Sequence, residues 1–418
     1  MKRKTTLTTT LAKTAAHAGN FFVPKKKIKG TEKNVFSRKN IAVVIPTYKP
    51  GPMTTDLVES IIKYHPKALI VVVDDCTPIN VETSPTLSKI NWLAANHIQV
   101  VSLRTPTNAL KAGALNYGIE YLQSLAIKPD AVFTFDDDVV INEQTIPSMV
   151  NTLFSHYRTG AVCSQVRITN KNVNLLTRLQ GLEYHGFNIT KISDNGFLKG
   201  PLVMQGMLTA FRMEVLEATQ GFSTGHLIED YDITARLKIK GWEVQIAKKA
   251  VAWTEVPDTI EALWKQRARW TSGGLHVLAQ YWKHIPSIFQ DFVGHASFLS
   301  LFVLIALSFI YADSYTQTTG VVPYLLALAW ISFGVSTVYN IAVMNAYADR
   351  DKKDWALKLT VLPELVYSNF LSLVLFGSYA FYFYNLSTKF LLKTLTYMIS
   401  AGHSAFGRVG YSAAWGTR

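Results

Sequence analysis

Four short apolar runs near the start of the chain, alternating with helix-like stretches, constrain its fold more than any other feature. Ile41 to Ile45 stops at Pro46, and Leu69 to Val73 stops at Asp74-Asp75. Ile98 to Leu103 follows, and Ala131 to Phe135 stops at Asp136. Runs this short and this apolar read as strands buried on both faces. Asp56 to Tyr64 and Ala109 to Leu125 read as helices between them. The alternation predicts a doubly wound α/β sheet of mostly parallel strands. Ligands of such sheets bind beyond the carboxyl ends of the strands. Both acidic pairs are therefore expected beside a ligand.

The second half of the chain has a different character. Phe292 to Ala312, Val321 to Ala346 and Ala356 to Tyr384 are each long and apolar enough to be candidate membrane spans, the last broken by Pro363 and carrying Glu364 and Asn369. Arg350, Lys352 and Lys353 lie between the last two, which places that loop and the α/β half on the cytoplasmic side. The formal net charge of +13 asks for an anionic partner: nucleic acid, anionic lipid or a phosphorylated substrate. The apolar C-terminal stretches favour the membrane, and no compact nucleic-acid-binding motif surrounds the basic residues, so nucleic acid is not an expected partner. Met1 to Asn20 has no long apolar core, so no signal peptide is expected. The basic run from Lys25 to Lys39 reads as a solvated tail or as one resting on anionic lipid. With only Cys76 and Cys163, a disulfide framework is not expected and a reducing compartment fits. The expected organisation is a tail over 1–39, an α/β domain over 40–255, an interface helix over 256–290, a membrane region of about three helices over 291–385, and a second tail over 386–418 with an amphipathic stretch from Phe390 to Ile399.

Several short motifs could carry chemistry. Asp136 and Asp138 lie two apart at a strand end, where alternate side chains point the same way. Hard cations such as Mg2+ or Mn2+ take carboxylate and phosphate oxygens, so the pair suits a metal bridging a nucleotide diphosphate; the plain alternative is a solvated turn. Asp75 at its strand end can accept from a base or ribose. Lys111 opens a helix, where an anion is favoured, or is simply a surface lysine. Glu229-Asp230 precedes an expected helix over Tyr231 to Lys240, so Asp230 is a helix cap or a general base. Gln266, Arg269 and Trp270 share one helical face, in a helix that Asp258 and Glu261 open as a capping box. Trp264, Tyr281 and Trp282 among basic residues suit a helix in the membrane interface, and Lys171 to Ser193 reads as a second one.

In order and spacing these motifs resemble the membrane-integrated glycosyltransferase family 2, which includes cellulose, hyaluronan, chitin-oligosaccharide and poly-N-acetylglucosamine synthases. The resemblance runs from about Asn40 to Trp282. Ile228-Glu229-Asp230-Tyr231-Asp232-Ile233 and Val256-Pro257-Asp258-Thr259 through Leu263 to Trp270 are most similar to the bacterial poly-N-acetylglucosamine synthases. It implies a GT-A catalytic domain, Rossmann-like with a mostly parallel sheet, followed by interface and transmembrane helices. It implies an inverting, metal-dependent transfer from a UDP-sugar at a bacterial inner or plasma membrane. By this resemblance Pro46, Thr47, Tyr48 and Asp75 contact the uridine, and Lys111 lies near the nucleotide. Asp136 and Asp138 form the D-x-D pair, with Asp138 on the metal. Gln205 and Gly206 begin the acceptor pocket, and Asp230, beside Glu229, is the catalytic base. Gln266, Arg269 and Trp270 meet the donor phosphates and the acceptor sugar.

Ile228 departs from the family's Thr or Ser at that position. Many processive members also carry helices ahead of the catalytic domain, and none is read here, so a polymer and a single transfer to a lipid both remain open. The implied partners are a UDP-sugar, a glycan or lipid acceptor and membrane lipids, with an accessory subunit or a second copy compatible. The reading from a different class is a non-catalytic membrane scaffold that keeps the fold.

Overall fold

A computed structural model of the chain describes residues 35–195, 199–287, 321–360 and 362–400, with isolated positions between 288 and 320. Most of the basic tail, nearly all of the Phe292 to Ala312 candidate span, and the chain beyond Ser400 lie outside these residues.

Eight strands form one sheet: β1 (Ile41–Thr47), β2 (Leu69–Asp74), β3 (Val100–Arg104), β4 (Ala131–Phe135), β5 (Val140–Ile141), β6 (Thr159–Ile168), β7 (Leu208–Arg212) and β8 (Glu243–Thr254). Their order is β3-β2-β1-β4-β7-β6-β8-β5. The first four pair in parallel, as does β6 with β8. The expectation of a mostly parallel sheet needs correction, because β7 runs antiparallel to both β4 and β6, and β5 antiparallel to β8. The sheet is mixed. The reversal has a consequence for the site: β7 begins at the rim where β1, β2 and β4 end, and Phe135 pairs with Leu208.

The first strand does not stop at Pro46 but continues to Thr47. Proline cannot donate to a ladder, and here it need not: β4 pairs with β1 only as far as Val44, while Pro46 faces Val73 of β2.

Alternate residues of the central strands feed two cores, as the period of two requires. Val43, Ile45, Ile70 and Val72 pack with Leu57, Val58 and Ile61 of α1 (Pro52–Tyr64), Ile90 and Leu93 of α2 (Ser84–Asn96), and Met149 and Leu153 of α4 (Thr145–Leu153). Ala42, Val44, Val71 and Val73 pack with Leu115, Ile119 and Leu122 of α3 (Leu110–Ser124) on the other face. That core also takes Val215 and Leu216 of α6 (Met213–Thr219) and Ile233 and Leu237 of α7 (Glu229–Ile239). Each valine, leucine, isoleucine or methionine among them stabilises the fold by about 1.5–3 kcal/mol on full burial.

The remaining described helices are α5 (Leu175–Asp194), α8 (Ile260–Tyr281), α9 (Val321–Ala346), α10 (Lys352–Thr360) and α11 (Leu362–Ser400). The expected capping box of α8 is replaced by Thr259, whose hydroxyl accepts from the Ala262 N–H at 3.3 Å; Asp258 instead offers its carbonyl to Asn174 at 2.7 Å. Helix α5 buries Thr177 to Leu182, Tyr184, His185 and Asn188 against the sheet and the C-terminal helices, and leaves Leu175 and Phe187 exposed.

Among the described residues one helix, Leu362–Thr388, is long and apolar enough to cross a membrane. It begins at Leu362 rather than Ala356, because α10 ends at Thr360 and Pro363 starts a new first turn, where its missing N–H costs nothing. It runs past Leu386, where a tail was expected, to Ser400.

The loop before α10 carries acidic as well as basic residues, and the acids grip the α/β half. Asp349 meets Arg167 at 2.9 Å, and Arg178 meets Asp351 at 2.7 Å and Asp354 at 2.8 Å, while Lys171 also pairs with the fully buried Asp354.

Candidate active site

The ends of β1, β2 and β4, the start of β7 and the first turns of α3 and α7 converge on one rim. Asp136 lies one residue beyond β4, and its N–H donates to the Met207 carbonyl at 2.8 Å, which extends the β4–β7 ladder. Asp136, Lys111, Gly206, Glu229 and Asp230 thereby become neighbours.

Lys111 is the hub. Its ammonium lies 2.6 Å from Asp136 Oδ1 and 2.7 Å from Glu229 Oε1, and donates to the Gly206 carbonyl at 3.4 Å. Burial opposes its charge, but the two carboxylates outweigh burial and hold its pKa above the ordinary lysine value. For Glu229 burial raises the pKa, yet the Lys111 ammonium wins and holds it below the usual range. Asp136 is pushed up by desolvation and by nearby Asp138, against the pull of Lys111.

Asp230 is not the N-cap of α7. That position is Ile228, and Asp230 sits inside the first turn. Its Oδ2 accepts from the Gly206 N–H at 3.0 Å and its Oδ1 from the Tyr231 N–H at 2.8 Å. A Cβ on residue 206 would fall 2.9 Å from Asp230 Oδ2, so glycine lets the backbone reach the carboxylate. Burial and the adjacent Glu229 push the Asp230 pKa up to about 6, although Lys111 and Arg269 pull it down. The result is a carboxylate able to exchange a proton near neutral pH. Ile228 seats this turn: it packs with Tyr231, Ala235 and Val277, and a Cβ on Gly273 of α8 would meet it at 2.6 Å.

The three consecutive aspartates diverge. Asp137 accepts from the Thr47 hydroxyl at 2.6 Å, tying the end of β1 to the end of β4. Asp138 stays close enough to Asp136 to raise its pKa, and accepts from Thr254 at 3.4 Å. At the end of β2, Asp75 Oδ1 accepts from the Thr105 hydroxyl at 2.9 Å and the Ala109 N–H at 2.8 Å, while its buried Oδ2 has no hydrogen-bond partner among the described residues. Thr47 accepts the Asp75 N–H through its carbonyl, so Pro46, Thr47, Tyr48 and Asp75 share one corner of the rim.

On the other side of Asp230, the Gln205 amide, in the orientation that satisfies it, donates to the Ser164 carbonyl at 2.9 Å and accepts from Lys191 at 3.1 Å. Helix α8 packs beside the first turn of α7, with Gly273 against Ile228. Arg269 lies near enough to lower the pKa of both Glu229 and Asp230. Trp270 is partly buried against Tyr184, with ring centroids 6.5 Å apart. Gln266 accepts from Arg267.

Of the residues singled out from the sequence, Lys111, Asp136, Gly206, Glu229 and Asp230 are brought together at the rim, with Thr47 and Asp75 at its β1–β2 corner and Arg269 nearby on α8. Four others were not foreseen: Asp137, Glu183, Arg267 and Tyr367. Asp137 and Arg267 sit inside motifs already noticed, whereas Glu183 and Tyr367 carry no local sequence signal.

Known proteins share this architecture. Poly-beta-1,6-N-acetyl-D-glucosamine synthase of Staphylococcus epidermidis is 28% identical over 253 residues, covering 60% of this chain and 58% of that protein. The protein of the same name from Staphylococcus aureus is 25% identical over 248 residues, covering 59% and 57%. The match thus spans less than two thirds of these relatives. Mannosyltransferase PcManGT from Pyrobaculum calidifontis, in complex with GDP-Man and Mn2+, superposes with a TM-score of 0.54 at 17% identity over 90% of this chain and 98% of that one, which shows a common GT-A-like fold. The model of glycosyltransferase like family 2 matches residues 38–273, more than half of the 418 residues, and the chain belongs to that family.

Proposed function

We propose that the protein is an inverting glycosyltransferase that moves a sugar from a UDP-sugar to a growing β-glycan of the poly-N-acetylglucosamine type at a membrane face. The observation that carries this reading is Asp230: a half-buried carboxylate aimed by the Gly206 N–H and set among Lys111, Glu229 and Arg269, with desolvation and Glu229 raising its pKa.

In this reading the Pro46–Tyr48 corner and Asp75 receive the uridine, for which the unpartnered Asp75 Oδ2 is suited. Asp230 takes the proton of an acceptor hydroxyl held near Gln205, Gly206 and Trp270. The oxygen forms a bond to the anomeric carbon as the bond to UDP breaks in line, and UDP leaves with the electron pair. Arg269 and Lys111 offset the negative charge that develops on the diphosphate. Glu229 keeps Lys111 in place and keeps Asp230 basic.

Asp136 and Asp138 fit a hard divalent cation. Both offer only oxygens, and their mutual repulsion raises the pKa of Asp136. Among the described residues no cluster of three or more ligating side chains exists, so diphosphate oxygens would complete the shell. Mg2+ or Mn2+ bound there supplies charge stabilisation for the leaving diphosphate. The Mn2+ in the mannosyltransferase complex agrees with this choice.

The Leu362–Thr388 helix packs along α8, which supports a membrane location for the site. We place the α/β domain on the cytoplasmic side of a multi-pass protein. The second reading, one transfer to a lipid acceptor, is favoured by this same closeness of site and apolar helix.

The deciding experiment incubates membranes carrying the protein with a panel of radiolabelled UDP-sugars and sizes the product. A ladder or high polymer supports the first reading, and one discrete lipid-soluble species the second. No transfer from any UDP-sugar sinks both.

A further inference from the structure

The helix that bears Gln266, Arg269 and Trp270 also bears Arg267, to which none of the roles above is given. Arg269 faces outward, whereas Arg267 points inward and is only 7% exposed. It joins three helices. One terminal nitrogen donates to Glu183 Oε2 of α5 at 2.6 Å, and the Tyr367 hydroxyl of α11 donates to the same oxygen at 2.6 Å. The other terminal nitrogen donates to Gln266 Oε1 at 2.7 Å. The guanidinium carbon lies 4.1 Å from the centroid of the Trp270 ring and 5.8 Å from that of Tyr184.

A guanidinium over an indole face is held by charge and by stacking, and more firmly away from water. Glu183 fixes the fork in direction, and Tyr367 fixes Glu183. The guanidinium, the Trp270 ring and the Tyr184 ring form a triangle, so the guanidinium braces one face of Trp270 while Tyr184 sits beside both. An ion pair that served only to glue α5 to α8 would not need to touch both Gln266 and Trp270.

We propose that Arg267, fixed by Glu183 and Tyr367, is a positioning residue that sets the orientation of the Trp270 ring, so that the apolar helix α11 helps to hold the acceptor side of the site. This rests on the reading that Trp270 meets the acceptor sugar. Lysine at 267 keeps the charge but lacks the plane and the fork.

The test uses the full chain in lipid nanodiscs, labelled with 5-fluorotryptophan, with the Trp270 fluorine resonance assigned by its loss in Trp270→Phe. Arg267→Ala would leave Glu183 buried without its cation and is prone to unfold, so Arg267→Lys and Tyr367→Phe are the informative variants. The Trp270 resonance is expected to shift or broaden in Arg267→Lys, and less in Tyr367→Phe, while UDP affinity by calorimetry stays unchanged. Transfer from UDP-N-acetylglucosamine to N-acetylglucosamine oligosaccharides should lose about 10- to 100-fold in kcat/KM for the oligosaccharide, the scale of a displaced positioning group. In a Trp270→Ala background Arg267→Lys should add no further loss, since both changes act through one ring. A stationary Trp270 resonance, losses that multiply in the double variant, or a matching fall in UDP affinity overturns the proposal. Wild-type protein that transfers no sugar refutes the glycosyltransferase reading alone, because the fluorine spectrum still decides the positioning role: a moved resonance supports it and an unmoved one overturns it.

Discussion

Two ionic clusters in this molecule look alike on a contact map and differ in charge balance. At the junction that leads into the first turn of α10, three carboxylates, Asp349, Asp351 and Asp354, meet three cations, Arg167, Lys171 and Arg178. Arg178 holds the Asp351 carboxyl well below the usual carboxylate range, chiefly through their hydrogen bond. At the strand ends, Asp136, Asp138, Glu229 and Asp230 share Lys111 and the nearby Arg269, and Asp136 and Asp230 are pushed up. The junction is neutralised by the chain itself. The rim is left short of positive charge, as a site must be if a cation and a proton are to arrive with the substrate.

The sharpest break of this comparison is Asp230→Asn. Transfer should fall by about 10³-fold or more, in line with loss of a general base, while UDP binding by calorimetry persists. Activity near the wild-type rate would make the rim merely structural. Removal of divalent metal by EDTA, or Asp138→Asn, should lower transfer by about 100-fold, with EDTA-treated protein recovering on added Mn2+. Undiminished turnover in EDTA would mean that Lys111 and Arg269 suffice. At the junction the order of effects should reverse. Asp354→Asn breaks a buried pair and should cost about 3 kcal/mol of stability, read as an earlier unfolding transition, while kcat of the folded fraction changes little. A large kcat effect would join the two clusters.

The smallest effect concerns pH. A carboxylate whose pKa is raised to about 6 is ionised only above that value, so kcat/KM should climb through about pH 6 and then level off. Glu229→Gln removes a neighbour that raises that pKa, so the residual activity should show its acid limb at lower pH. The junction has the opposite sign. Asp351, with its pKa depressed on folding, adds stability above the unfolded value and gives it up only as pH falls toward the folded one. Transfer should therefore fail on acidification well before the junction does, and simultaneous loss would contradict the contrast.

Much of the rim was legible because its strands announce themselves locally. The apolar runs of β1, β2 and β4 end at or next to the polar residues that face the ligand side, and periodicity places them without tertiary information. Strands β6, β7 and β8 were not read, since β8 contains Lys248-Lys249 and its strand state depends on pairing with β6. Asp258 and Thr259 are adjacent residues that can both cap a helix, Asp the better by propensity, and the backbone geometry places Thr259 at the cap. The Glu183–Tyr367 bond joins residues 184 apart, a distance over which composition and spacing say nothing.

One consequence follows from the direction of β7. A strand that enters where its neighbours leave delivers a second loop to a rim that three parallel strands already supply. Gln205 and Gly206, just ahead of β7, therefore reach the site from the side opposite to the β1, β2 and β4 termini. The two banks of such a cleft are thus built by separate stretches of the chain, and a change in one can alter what is held there without moving the strand ends of the other.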